Sequence, residues 1–318
     1  MWSQHVLRGA IAASILVSSS PALAKDVFPN EFAAGKKSVA LQPAAKWTLL
    51  KSEESCQLTR RFGEEDNLHV LSIVQSAPGN TFSLTAAGPA FKYYRTGKPI
   101  SLGMQSDAPM VEFELPPTGE YAGVGRAIIL SSVIIADPNT PDADRLGISS
   151  PVDSDAPQER VQLSAQLNMD EAAKIERVVF GRRGKAISFE TGTLTSAFGA
   201  LNACTSEKLM NWGLDPQKHQ TFTPAKLVNE RAVGEFLESR YSHSARVRGE
   251  QAIFRVRVNV EKDGRVSECA VNAMTTTDKI VSPACDAMEI ATFEPALDAE
   301  GNPMRSFYST TISYRIAG

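Results

Sequence analysis

A chain of 318 residues with 42% hydrophobic and 22% charged side chains is too long for one ordinary core and suits two domains. That composition fits neither wholesale disorder nor a polytopic membrane protein. The 33 basic and 36 acidic side chains leave a formal charge of −3, without the basic excess of a nucleic-acid binder, so no nucleic-acid partner is expected.

The first 24 residues read as a signal peptide. Arg8 precedes an apolar run from Ala10 to Val17, Ser18 to Pro21 break it, and Ala22-Leu23-Ala24 supplies the small-x-small pattern of a cleavage site. The run is about half the roughly 20 residues a spanning helix needs. Cleavage after Ala24 is therefore expected, and no Cys follows the run to carry a lipid. Ala127 to Ala136, the most apolar later stretch, is rich in Ile and reads as a buried strand. The expected location is the periplasm, with no stable membrane span after processing.

Four cysteines in an oxidising compartment suggest two disulfides, with three connectivities open. Cys56–Cys204 and Cys269–Cys285 are preferred because each pair then lies inside one proposed domain. No CxxC occurs, which leaves zinc and thioredoxin-like chemistry without support.

Residues 25–210 read as a β-rich domain. Strands are expected at Trp47–Lys51, Cys56–Phe62, Leu68–Gln75, Thr81–Ala86, Met110–Leu115 and Ile128–Ile135, with Gly, Pro, Asn and Asp between them. Asp137 to Gln158, with Pro138, Pro141, Pro151 and Pro157, reads as a surface loop. Asn168 is placed to cap a helix from Met169 to Phe180, with Asp170 and Glu171 in its first turn. A strand at Lys185–Glu190 and a helix at about Leu194–Met210 follow. The helix would carry Cys204 back to the strand bearing Cys56. Residues 211–226, rich in turn formers, read as a linker.

Residues 227–318 have the order helix, hairpin, helix, strand. Leu227 to Arg240 reads as a helix with Val228, Val233, Phe236 and Leu237 on its apolar side. Phe254, Val256, Val258 and Val260 alternate with Arg255, Arg257 and Asn259, Asp263-Gly264 makes a turn of positive φ, and Val266 to Ala273 returns. Ser282 is read as the cap of a short helix with Pro283 in its first turn. Phe307 to Ile316 closes the domain as a strand. The expected fold class is α+β: a β-rich domain, then a small domain with helices packed on an antiparallel sheet.

The run Phe254-x-Val256-x-Val258-x-Val260, Asp263-Gly264-Arg265-Val266, Cys269-x-Val271, Phe293-x-Pro295-Ala296-x-Asp298-x-x-Gly301-x-Pro303 and Tyr308 to Ile316 resembles the TonB C-terminal domain family. The likeness covers about residues 222–318. It implies binding of short segments of outer-membrane receptors in the periplasm, commonly by adding a receptor strand to an exposed sheet edge. In this family such domains pass on energy from an inner-membrane proton channel. Tyr241-Ser242 stands where the family often has Tyr-Pro, Ser282-Pro283 replaces the usual Leu-Asp, and a β-rich domain with an expected removable signal peptide stands where a classical transducer has an uncleaved membrane helix and a Pro-rich spacer. On this reading the docking strand carries Tyr308, Thr310, Ile312, Tyr314 and Ile316, and a homodimer could occupy the same edge.

Arg240, Arg246, Arg248, Arg255 and Arg257 form a local basic cluster interspersed with Glu238, Glu250 and Glu261. Arg255 and Arg257 are its candidate contacts to an acidic partner. Enzymatic signatures are lacking. HExxH, GxSxG and P-loop patterns do not occur, and His69, His219 and His243 assemble into no nucleophile–base–orienter triple. Gly123-Val-Gly125 lacks a third glycine, and Asp142-Ala-Asp144 lacks the closing Glu of a calcium loop. The resulting expectation is a non-enzymatic periplasmic protein that binds envelope proteins or receptor peptides, without metal or cofactor. The alternatives are a membrane-anchored TonB-type energy transducer and an envelope hydrolase with its site in the N-terminal domain.

Overall fold

The computed structural model describes residues 38–95, 97–104, 110–114, 116–135, 160, 162–182, 184–241, 243–247, 250, 252–273 and 280–314. The expected signal peptide, the proline-rich loop and Ile316 lie outside the described residues.

Eleven strands build the N-terminal part: β1 Ser38–Leu41, β2 Thr48–Lys51, β3 Cys56–Phe62, β4 His69–Gln75, β5 Thr81–Ala87, β6 Ile100–Gly103, β7 Val111–Phe113, β8 Thr118–Tyr121, β9 Gly125–Ile134, β10 Val178–Arg182 and β11 Lys185–Phe189. One sheet has the order β2-β3-β4-β5-β9-β8, and the other β1-β11-β10-β6-β7. Only β1, parallel to β11, departs from antiparallel pairing in these sheets. Inward side chains of both sheets share one core: Leu58, Ile73, Leu84 and Leu130 from the first meet Leu102, Phe180, Ile187 and Phe189 from the second. Phe62 sets its ring edge-on to Phe189 at 5.0 Å, an arrangement favoured by the ring quadrupoles.

Among the described residues two α-helices complete this part. In α1, Met169–Lys174, the Asn168 side chain accepts from the N–H groups of Asp170 and Glu171, satisfying donors that the first turn leaves unpaired. The helix ends sooner than expected. Val178 to Arg182 instead forms β10 between β11 and β6, because branched Val178 and Val179 suit a pleated sheet and Phe180 is buried there. In α2, Thr195–Asn211, Phe198 and Leu201 face the first core and Leu209 reaches the second.

The C-terminal part contains β12 Lys226–Leu227, α3 Glu230–Arg240, α4 His243–Val247, β13 Ala252–Val260, β14 Val266–Ala273, α5 Ala284–Glu289, β15 Phe293–Glu294, β16 Ala296–Leu297, β17 Pro303–Met304 and β18 Ser306–Tyr314. Its main sheet has the order β14-β13-β18, flanked by the small pairs β12–β15 and β16–β17. Val256, Val258 and Val260 of β13 cluster with Val233 of α3 and Ala284, Ala287 and Met288 of α5. The protein is α+β: helices cover one face of a small antiparallel sheet, after a β-rich N-terminal region.

Three local expectations give way here. Leu227 belongs to β12, and α3 begins only at Glu230. Pro283 holds the N-cap position of α5 and no side chain caps that helix; the Ser282 hydroxyl lies toward the Tyr314 phenol instead. The segment read as a linker is packed: Trp212, Leu214, Phe222 and Ala225 belong to the second core, and His219 is buried with them. Its turn residues set the path of the chain, while its large apolar side chains are driven out of water.

Candidate functional site

β18 is bonded along its whole length to β13, in register from Ala252 opposite Tyr314 to Val260 opposite Ser306. Among the described residues no strand lies on its other side. A nine-residue border of main-chain donors and acceptors is thus left at the edge of the sheet.

Side chains on β18 alternate between two surroundings. Tyr308 lies against Phe293 with ring centroids 5.0 Å apart, and Ile312 packs on the second and third clusters of buried residues. Tyr314 meets Tyr241 at 5.0 Å and Phe254 at 5.9 Å. Burial pushes the Tyr308 and Tyr314 phenols above their usual range. Tyr308, Thr310, Ile312 and Tyr314, expected as docking residues, therefore share the face that carries the helices; what they leave at the edge is backbone. The opposite face carries Phe307, Ser309, Thr311 and Ser313. Sequence reading passed over Ser309, Thr311 and Ser313 because small polar residues give no apolar signal.

Arg255 and Arg257 stand on that second face in different states. Arg257 is buried, with its guanidinium carbon 4.2 Å from the centre of the Trp212 ring. Its Nε and Nη2 donate to the two carboxylate oxygens of Glu54 at 3.0 and 3.2 Å, and Nη1 donates to Asn259 Oδ1 at 3.0 Å. Arg257 is consequently spent inside the molecule and not presented to an acidic partner. Arg255 is partly buried, and its Nε is shielded from solvent without an acceptor.

Glu54 is itself held in place from the N-terminal side. It sits in the turn between β2 and β3, next to Cys56, which is bonded to Cys204 of α2. Lys208, one helical turn beyond Cys204, donates to the carbonyls of Ser52 and Glu53, and burial lowers its pKa below the usual lysine value. Lys51 pairs with Glu207 alongside. The second disulfide, Cys269–Cys285, ties β14 to α5. Both bridges join the partners that sequence reading preferred.

The histidines are placed as structural groups. His69 Nε2 accepts from the Ala90 N–H at 3.0 Å, so Nδ1 carries the proton and donates to Asn67 O at 2.9 Å. His219 Nδ1 donates to Asp215 O at 2.7 Å and Nε2 meets Ser306 Oγ at 2.9 Å. His219 also stacks on Phe307 at 5.8 Å. His243 is exposed on α4. Among the described residues no three His, Cys, Asp or Glu side chains converge as metal ligands, and no helix is long and apolar enough to cross a membrane.

No curated protein matches this chain. Residues 238–316, from the end of α3 through β18, match the family described as Gram-negative bacterial TonB protein C-terminal.

Proposed function

We propose that the protein is a non-enzymatic periplasmic binding protein whose C-terminal sheet captures an extended segment of another envelope protein, a transport receptor of the outer membrane being the first candidate. The open border of β18 carries this reading: every second guest residue would add main-chain hydrogen bonds to a strand that, among the described residues, has a partner on one side only. The family match over residues 238–316 supports the same class of partner. The cysteine bridges suit an oxidising compartment. Proline separates edge pairing from folding, because successive residues along a strand direct their N–H groups to opposite sides. Of Thr311→Pro and Ile312→Pro, one removes a bond to β13 and lowers stability. The other removes a donor from the border and leaves stability near that of the parent. Pull-downs from envelope extracts should lose the captured protein with the second variant. Equal recovery with a stably folded border variant overturns edge capture.

A further inference from the structure

On the sheet face turned away from α3 and α5, Asn272 of β14, Arg255 of β13 and Thr311 of β18 stand side by side in register. Ala270, Arg257 and Ser309 form the neighbouring row. Three polar atoms on this face, Arg255 Nε, Ser309 Oγ and Thr311 Oγ1, are shielded from solvent and have no hydrogen-bond partner. Every one of them can donate, and buried donors in folded proteins are nearly always satisfied. Cross-strand neighbours have Cβ atoms about 4.5–5.5 Å apart, close enough for the Arg255 and Thr311 side chains to meet a common guest.

The distribution of charge selects the kind of guest. Arg257 is neutralised by Glu54, whereas Arg255 has no ion-pair partner among the described residues. Burial alone shifts its guanidinium, downward, with no carboxylate opposing it. A cation would be repelled. Water could accept from some of these donors but would leave the charge uncompensated. An oxyanion accepts from all of them and offsets the charge, in the planar geometry for which guanidinium groups are suited.

We propose that Arg255, Ser309 and Thr311 form a binding site for an oxyanion, a carboxylate or a phosphate group, on the sheet face opposite the helices. The site uses side chains of the face and not the main-chain border of β18, so it stands or falls apart from strand capture.

The test uses the whole chain, labelled with nitrogen-15, titrated at pH 7 with sodium phosphate or sodium acetate at constant ionic strength against sodium chloride. The Nε–H resonance of Arg255, assigned by its loss in Arg255→Gln, and the Thr311 amide should shift and saturate with at least one oxyanion. Saturation by phosphate alone assigns a phosphate group; saturation by acetate assigns a carboxylate. The double variant Ser309→Ala/Thr311→Val exchanges the unpaired hydroxyls for apolar groups and should unfold no more readily than the parent. It should bind about a hundredfold more weakly, the scale of two lost hydrogen bonds to a charged group. Shifts that match chloride, that rise linearly without saturating, or that persist at Thr311 in Arg255→Gln overturn the site.

Discussion

Arg257 and Glu54 are 203 positions apart in the sequence and meet in a two-point ion pair, with N–O distances of 3.0 and 3.2 Å. The pair joins the last sheet of the molecule to the first hairpin turn. The Arg257 side chain is only 7% exposed and that of Glu54 22%, so the two partners are not equivalent. Arg257 cannot reach water if it is abandoned, while Glu54 can turn outward.

This asymmetry predicts unequal mutants. Glu54→Ala leaves the buried cation with only the more distant Glu268 carboxylate, 4.0 Å from Nη1, and should cost about 2–3 kcal/mol in urea unfolding. Arg257→Met keeps an apolar body against Trp212 and frees Glu54 to solvent, and should cost about 1 kcal/mol less. The reverse order would mean that the pair is not what holds Glu54 in place.

The disulfides should differ in weight. Cys56–Cys204 closes a sequence separation of 148 residues and Cys269–Cys285 one of 16. By chain entropy alone, removing the first should cost about 2 kcal/mol more than removing the second. The comparison is between Cys56→Ala/Cys204→Ala and Cys269→Ala/Cys285→Ala, by calorimetry at one pH. Equal losses would place the effect of the bridges in native packing and not in the unfolded chain.

Much of the C-terminal part was legible because its signals are local. Alternation along Phe254 to Val260, the Asp263-Gly264 turn and the regular final strand each lie within a few residues, and β13, β14 and β18 follow them. The short apolar run at Val178-Val179-Phe180 was not legible as a strand, since a stretch of that length fits a buried helix as well. β1 escaped notice for another reason: Ser38 to Leu41 becomes a strand by pairing with Ala186 to Phe189, far along the chain. At the candidate site, alternation placed Arg255 and Arg257 on one face, yet nothing near them in sequence announced that Trp212 and Glu54 would cover only the second.

Two glycines separate conformational strain from collision. Gly264 has φ +82° and Gly301 has φ +84°, so alanine at either pays the left-handed penalty of about 1 kcal/mol. At Gly301 an added Cβ meets nothing within 4 Å, whereas at Gly264 it would lie 2.2 Å from the Phe293 carbonyl oxygen. Gly301→Ala should lose about 1 kcal/mol and Gly264→Ala clearly more, because the β13–β14 turn must move away from β15. Similar unfolding midpoints for the two variants would contradict this close approach.

Acid should weaken the fold through its buried imidazoles. Burial lowers the pKa of both His69 and His219 below the ordinary 6.5. Between that value and the lower folded one, the unfolded chain binds more protons, so stability rises with pH. The contribution is fully present above about pH 6.5 and is lost as pH falls below it toward the folded pKa values. The two sites should not share the loss equally. Protonated His219 can still donate from Nε2 to Ser306 Oγ, since a hydroxyl accepts as readily as it donates. Protonated His69 would direct a new N–H at the Ala90 N–H, which can only donate. His69→Gln should therefore flatten the fall in urea midpoint between pH 7.5 and 5.5 more than His219→Gln does, and an equal or opposite ranking would show that burial, and not the partner at Nε2, governs the acid response.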